Sequence, residues 1–494
     1  MKRRSKILIR AVLALGIAWV LSLSVSHKNA RDKVAEYKQE LRAKGEKLTF
    51  AELAPPPSTK TPNGAKAFMD ASNLLSSSSI GRPPMMDLIA PGVARIGHTN
   101  IAAELMSNYA SNVQRTAALR TILTNAAVLD FNLGYSKEFD LQLPHLSKLK
   151  NMEVVVATTA MQALWKRDYA EAWPELCAAV DLIRLFDNEP LPRSQLVRHA
   201  MVQISFKATW EALQENQWTD AQLSELQSKW EAIDLLNSLE TFVAIERAYG
   251  VEALARKRKS GDAAYGAMYF SQPAAGDWVG NMRRKIKELY ERYPRYWIWK
   301  SSWSYEEEHY YLQILMADLD AARSIKATGT FVPALNELRR QAISIDKMYP
   351  DGTNRFILFD GYKGSFTTFF VNLAEAETAR RLLVTALALK RYHLQHGAYP
   401  AGLNELVPNY LKQVPMDPMD GKPLRYRLRP DGGFLLYSVG EDGEDNGGDP
   451  SPIENRTIKD WLTARDAVWP RAATSEEIEK YEGRSGNETN ASGK

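Results

Sequence analysis

Helical spacing governs most of this chain. From Ile101 to Asn216 apolar residues return every third or fourth position in four runs: Ile101 to Val128, Lys148 to Arg167, Tyr169 to Asp187 and Leu191 to Asn216. A helix with that period carries one apolar stripe, and the stripe must be covered by another element. Asp168, Asn188 and Pro190 part the later runs by so little chain that neighbours fold back as antiparallel pairs. In the pair joined at Leu164 to Ala170, the residues Ala172, Leu176, Ala179, Leu182 and Ile183 fall on one stripe, and its alanines permit close helix approach.

These hairpins are similar in style to tetratricopeptide-like solenoids, although no repeat of about 34 residues recurs. Thr219-Asp-Ala-Gln222 reads as a capping box opening a further helix, with Leu223, Leu226, Trp230 and Ile233 on its buried face. Phe242 to Arg258 continues the helical pattern; Glu246-Arg247 reads there as an ordinary ion-pair site, and Arg256-Lys-Arg-Lys259 as a solvated charged face. The aromatic-dense stretch 289–311 reads first as packing between helical layers and second as a surface that stacks sugar rings.

At 494 residues, with 45% hydrophobic and 25% charged residues, the chain has room for several cores. A net charge of +4 creates no general field for nucleic acid, and no nucleic-acid partner is expected. The single cysteine, Cys177, excludes an intramolecular disulfide and a cysteine zinc site, and its alanine-rich surroundings suit a buried, inert thiol.

Lys2, Arg3, Arg4 and Lys6 precede an apolar start and an uncharged run from Ala11 to Ser26. This pattern predicts a single-pass membrane anchor over 1–27 with the basic end cytoplasmic and the bulk of the chain extracytoplasmic in a bacterial envelope. Ser22-Leu-Ser24 and Ser24-Val-Ser26 offer small-residue cleavage sites, whereas the polar helix continuing from Lys28 to Lys47 favours a retained signal-anchor. Pro55-Pro-Pro57 and Pro62-Asn-Gly64 end that stalk, so 28–62 is stalk and linker and 63–371 a helical domain. Ser76 to Pro84 and Pro91-Gly92 read as loops within it.

Motifs of nucleophilic catalysis and of phosphate binding are absent from the sequence. Glu306 and His309, and again His393 and His396, stand one helical turn apart, a spacing that can present two metal ligands on one face. A hydrolase would need a carboxylate pair, for which the region 240–311 is the candidate.

Asn372 to Gln395 reads as one long helix ending at Gly397. Tyr399-Pro400 turns the chain, Pro415-Met-Asp-Pro418 turns it again, and Leu424 to Leu428 and Phe434 to Tyr437 flank Pro430-Asp-Gly-Gly433 as a hairpin. An acidic, glycine-rich loop follows, Ser438-Val-Gly-Glu-Asp-Gly443 with Gly447-Gly448 and Asp449. An EF-hand reading fails because the position of its closing glutamate is Ile453.

The order of Tyr392, Gly397 to Pro400, Leu403 to Leu406, Pro415 to Pro418, Tyr426, Ser438 to Gly443, Gly447-Gly448 and Asp449 resembles the globular part of major type II secretion pseudopilins. The resemblance covers about 372–470 and implies a small α+β module over 372–471. It also implies a calcium ion held by the carboxylates of Asp442 and Asp449 with the carbonyl of Val439. Pro450 stands where the family carries a further acid, and the Gly-Phe-Thr-Leu-x-Glu start that a prepilin peptidase processes is missing, so pilus assembly is not implied. The tail 472–494 is polar and is expected to be disordered.

The sequence thus predicts a mainly α protein with an N-terminal membrane helix, a helical-hairpin centre and an α+β end. Its expected role is binding or scaffolding, with an envelope protein or polysaccharide as partner. A cell-envelope hydrolase is the alternative.

Overall fold

The computed structural model describes residues 2–56, 58–73, 87–89, 92–94, 108–133, 143–187, 189–260, 295–349, 355–357, 367–451 and 464–479. The loop expected at Ser76 to Pro84 and the tail beyond 479 lie outside them. The chain packs as two compact units. The first is Met1–Ala54, Glu240–Ala322 and Asn336–Phe366; the second is Pro55–Leu239, Arg323–Leu335 and Thr367–Lys494. The division differs from the linear one read from sequence, because the long C-terminal helix belongs to the same unit as the helical hairpins.

The helices are α1 (Lys2–Ala43), α2 (Phe50–Leu53), α3 (Ala65–Asn73), α4 (Tyr109–Asn125), α5 (Pro144–Trp165), α6 (Tyr169–Leu185) and α7 (Pro192–Leu213). They continue as α8 (Asp220–Glu231), α9 (Leu239–Ser260), α10 (Tyr296–Ile298), α11 (Ser304–Thr328), α12 (Val332–Met348) and α13 (Thr367–His396). A π-turn, Trp299–Trp303, joins α10 to α11. Strands β1 (Asp87–Ile89) and β2 (Gly92–Ala94) form a small hairpin, and β3 (Arg425–Leu428), β4 (Phe434–Ser438) and β5 (Ala467–Val468) an antiparallel sheet with β4 central. The protein is mainly helical with a small antiparallel sheet.

The expected membrane helix is overturned. Residues 2–43 do form one helix, but among the described residues no helix is long and apolar enough to cross a membrane. The uncharged run from Ala11 to Ser26 is 16 residues, about 24 Å at 1.5 Å per residue, against a hydrocarbon core of about 30 Å. Arg10 precedes it, His27-Lys28 follow it, and Gly16 and three serines dilute it. The single-pass anchor and the location derived from it therefore do not hold.

In the first unit the later half of α1 is tied down. His27 meets Tyr305 at 5.1 Å between ring centroids and Tyr37 meets His309 at 5.2 Å, while Val34 and Leu41 are buried. Lys38 and Arg258 both pair with Glu308, a fully buried carboxylate on α11. The charged run Arg256 to Lys259 is thus only partly a solvated face, since Lys257 is buried and Arg258 is committed. The aromatic stretch, described from 295 onward, packs inward at Tyr296, Trp299, Tyr310 and Tyr311, while Trp297 stays exposed.

In the second unit α5 is the centre, with every residue from Met152 to Leu164 buried. A helix covered on all sides needs no polar face, which is why Val154-Val-Val156 and the flanking alanines suit it. Proline opens both α5 and α7, where its missing amide costs no hydrogen bond. The capping box is formed: Thr219 Oγ1 accepts the Gln222 amide at 3.3 Å, and Gln222 Oε1 accepts the Thr219 amide at 3.0 Å. Helix α13 packs against α7, α8 and β4, so the sheet and the hairpins share one core. The segment 472–479, expected as disordered tail, instead carries a helical turn at 475–479, with Ile478 buried and Arg471 paired to Glu477.

Candidate functional site

The acidic loop between β4 and β5 is held from beneath by two buried carboxylates. Asp417, from the Pro415 to Pro418 turn, accepts the Ser438 hydroxyl at 2.7 Å and the Met419 amide at 2.9 Å on Oδ1. Its Oδ2 accepts the Val439 amide and the Arg425 guanidinium, each at 2.9 Å. Burial raises the Asp417 pKa above its ordinary value, although these bonds pull the other way. Arg425 on β3 also reaches Asp420 at 2.6 Å and Asp445 at 3.3 Å, and those partners raise its pKa in turn.

Asp466, just before β5, is the second support. Its carboxylate accepts the amides of Asn446 at 3.3 Å, Gly448 at 2.7 Å and Asp449 at 2.9 Å, while its own amide donates to the Asp449 carbonyl at 3.0 Å. Neighbouring amides turned onto one anion form a nest-like cradle, here filled by the protein's own side chain, while the Gly447 amide between them turns to Asp445. The loop can follow this path because Gly440 has φ +69°, and a Cβ there would stand 2.3 Å from the Arg465 carbonyl oxygen.

The residues named from sequence stand at different points of this frame. Asp442 is exposed and closes a turn, accepting the Glu444 amide at 3.0 Å and the Asn446 side chain at 3.3 Å. Asp449 is half-buried and accepts the Ser451 amide at 2.9 Å and hydroxyl at 2.8 Å, which lower its pKa. Val439 is buried, with its amide on Asp417. Among the described residues no three His, Cys, Asp or Glu side chains gather so as to hold a metal ion. Asp445, Asp466 and Arg425 carry much of the loop's structure yet have no sequence signal; Asp466 lies beyond the segment 452–463 and shows no motif.

The other candidates are engaged separately. Glu307 accepts the Trp299 indole N–H and the Ile357 amide, and Glu308 holds Lys38 and Arg258. His309 bonds the Tyr349 hydroxyl, while burial raises the Glu306 pKa against the pull of Arg355 and Lys33. His393 packs on Tyr399 at 4.5 Å and His396 on Tyr392 at 4.0 Å. Arg247 pairs with Glu46. Burial pushes the Cys177 thiol up to about 12, far from a reactive thiolate.

Comparison with protein-family models, with curated proteins and with solved structures returned no match.

Proposed function

We propose that this chain is a binding or scaffold protein whose recognition element is the acidic loop after β4, a pseudopilin-like loop that takes calcium. The observation that supports this reading is the division of labour among the loop's carboxylates. Asp466 absorbs three inward amides, so the backbone is fixed from below, while Asp442 and Glu444 remain exposed. A hard cation needs oxygen donors on a preset backbone, about six to eight of them. The carboxylates of Asp442 and Asp449 and the Val439 carbonyl would supply part of that set, and water the remainder. Such a site binds and orders; its chemistry is that of a structural or adhesive contact.

The test is the melting temperature of the protein in millimolar calcium and in excess chelator, for wild type and Asp442→Ala. Calcium raises the wild-type value and leaves the variant unchanged. Identical wild-type curves in calcium and chelator would remove the calcium reading.

A further inference from the structure

Helix α7 contacts α5 and α13, and its polar residues are treated unequally by the two neighbours. Towards α5, Ser205 donates to Glu153. Towards α13, the His199 ring lies 5.0 Å from that of Phe369 and is 3% exposed. Gln195, His199 and Gln203 recur every fourth residue and so form a single row along the helix.

That row is incomplete in hydrogen bonds. Gln195 Oε1, both ring nitrogens of His199 and both amide atoms of Gln203 are shut off from solvent and have no partner among the described residues. Thr378 Oγ1 on α13 is in the same condition. An unmet buried polar group costs about 1–3 kcal/mol. Five on one row would together cost about 5–15 kcal/mol, as much as the whole net stability of an ordinary domain. Leaving the row dry would carry a cost on that scale.

We propose that the row on α7 running from Gln195 past His199 to Gln203, which meets α13 at Phe369, is a binding site for a file of internal water. The eight-residue separation makes it about 12 Å long at 1.5 Å per residue. Its ligand must both donate and accept and must be uncharged, because a neutral imidazole offers one donor and one acceptor and each glutamine amide offers both. His199 is neutral there: burial, aided by Arg198, holds its pKa down to about 3. Arg198 itself donates to the carbonyls of Ile183 at 3.4 Å and Asp234 at 2.8 Å. Water meets the requirement, typically with about three hydrogen bonds per buried molecule.

One end of the row joins a polar cluster that is already complete. Gln195 Nε2 donates to the Glu189 carbonyl at 2.8 Å, and the Glu189 carboxylate holds His145 Nε2 at 2.9 Å and the Ser194 hydroxyl. The file thus extends a satisfied network along α7.

A high-resolution crystal structure of the full chain tests this directly. Ordered water within hydrogen-bonding distance of the His199 ring nitrogens and the Gln203 amide is expected; a dry row overturns the proposal. Gln203→Leu supplies an independent reading. In a hydrated row it interrupts the file and lowers Tm by about 2–4 °C. In a dry row it removes an unmet group, so an unchanged or raised Tm also overturns the proposal.

Discussion

The Asp417 carboxylate accepts the Val439 amide at 2.9 Å, joining the Pro-Met-Asp-Pro turn to the root of the acidic loop across 22 residues. The same carboxylate serves Ser438, Met419 and Arg425. Asp417→Ala strands all four donors at once. Removing one member of a buried charged pair costs about 3–5 kcal/mol, and that loss is expected in the unfolding free energy from urea titration. Asp442→Ala, at an exposed turn, is expected to stay within about 0.5 kcal/mol in chelator. Equal losses for the two would mean that Asp417 does not carry the frame.

What was legible in the sequence was local. The hairpin of β3 and β4 follows from Pro430-Asp-Gly-Gly433 between alternating strands, and the start of α8 from the Thr219 and Gln222 pair, because each is settled within a few residues. Burial faces were legible too, as the stripe on α6 shows. Charge partners were not. Glu308 is one of three successive glutamates, and nothing near it announces that Lys38, 270 residues away, will pair with it. Asp466 is hidden for the same reason, since its partners are backbone amides that carry no identity in a sequence. The expected membrane span rested on the basic leader and the uncharged run, and that run of 16 residues is too short and too diluted to cross a bilayer.

Glu377 supplies a pH dependence. Burial alone would raise its pKa, but Arg380 at 2.7 Å and Arg381 at 2.7 Å hold it down to about 2 from 4.5. A depressed carboxylate stabilises the fold above its unfolded pKa and loses that contribution as pH falls through the folded one. The window is therefore between about 4.5 and about 2, with a contribution on the order of 3 kcal/mol. Glu377→Gln should flatten the fall in stability across that window, as followed by denaturant titration at several pH values. A variant whose acid profile parallels wild type would show that Glu377 is not the group responsible.

Arg247 and Glu46 form a buried pair in the first unit, Nη2 to Oε2 at 2.9 Å, and the same nitrogen donates to the Lys47 carbonyl at 2.8 Å. Glu46→Gln removes the counter-charge and should cost about 3 kcal/mol. Arg247→Met combined with Glu46→Gln should recover part of that cost, because the stranded charge is gone. A double-mutant cycle on thermal unfolding measures the coupling, and a coupling near zero would reduce the pair to a bystander.

Gly250 lies inside α9, where alanine would ordinarily be worth about 1 kcal/mol over glycine. Here a Cβ would stand 2.2 Å from Cζ and 2.3 Å from the hydroxyl of Tyr311. The ring is not free to swing aside, since that hydroxyl donates to the Glu246 carbonyl at 2.7 Å and Tyr311 is buried. Overpacking of this kind costs about 1–3 kcal/mol, and the lost hydrogen bond adds about 1 kcal/mol. Both act against the helix-propensity gain, so Gly250→Ala should lower the melting temperature. In a Tyr311→Leu background the obstacle is gone and the same substitution should become neutral or stabilising. A reversal of sign between the two backgrounds is what distinguishes a steric requirement for glycine from a mere tolerance of it.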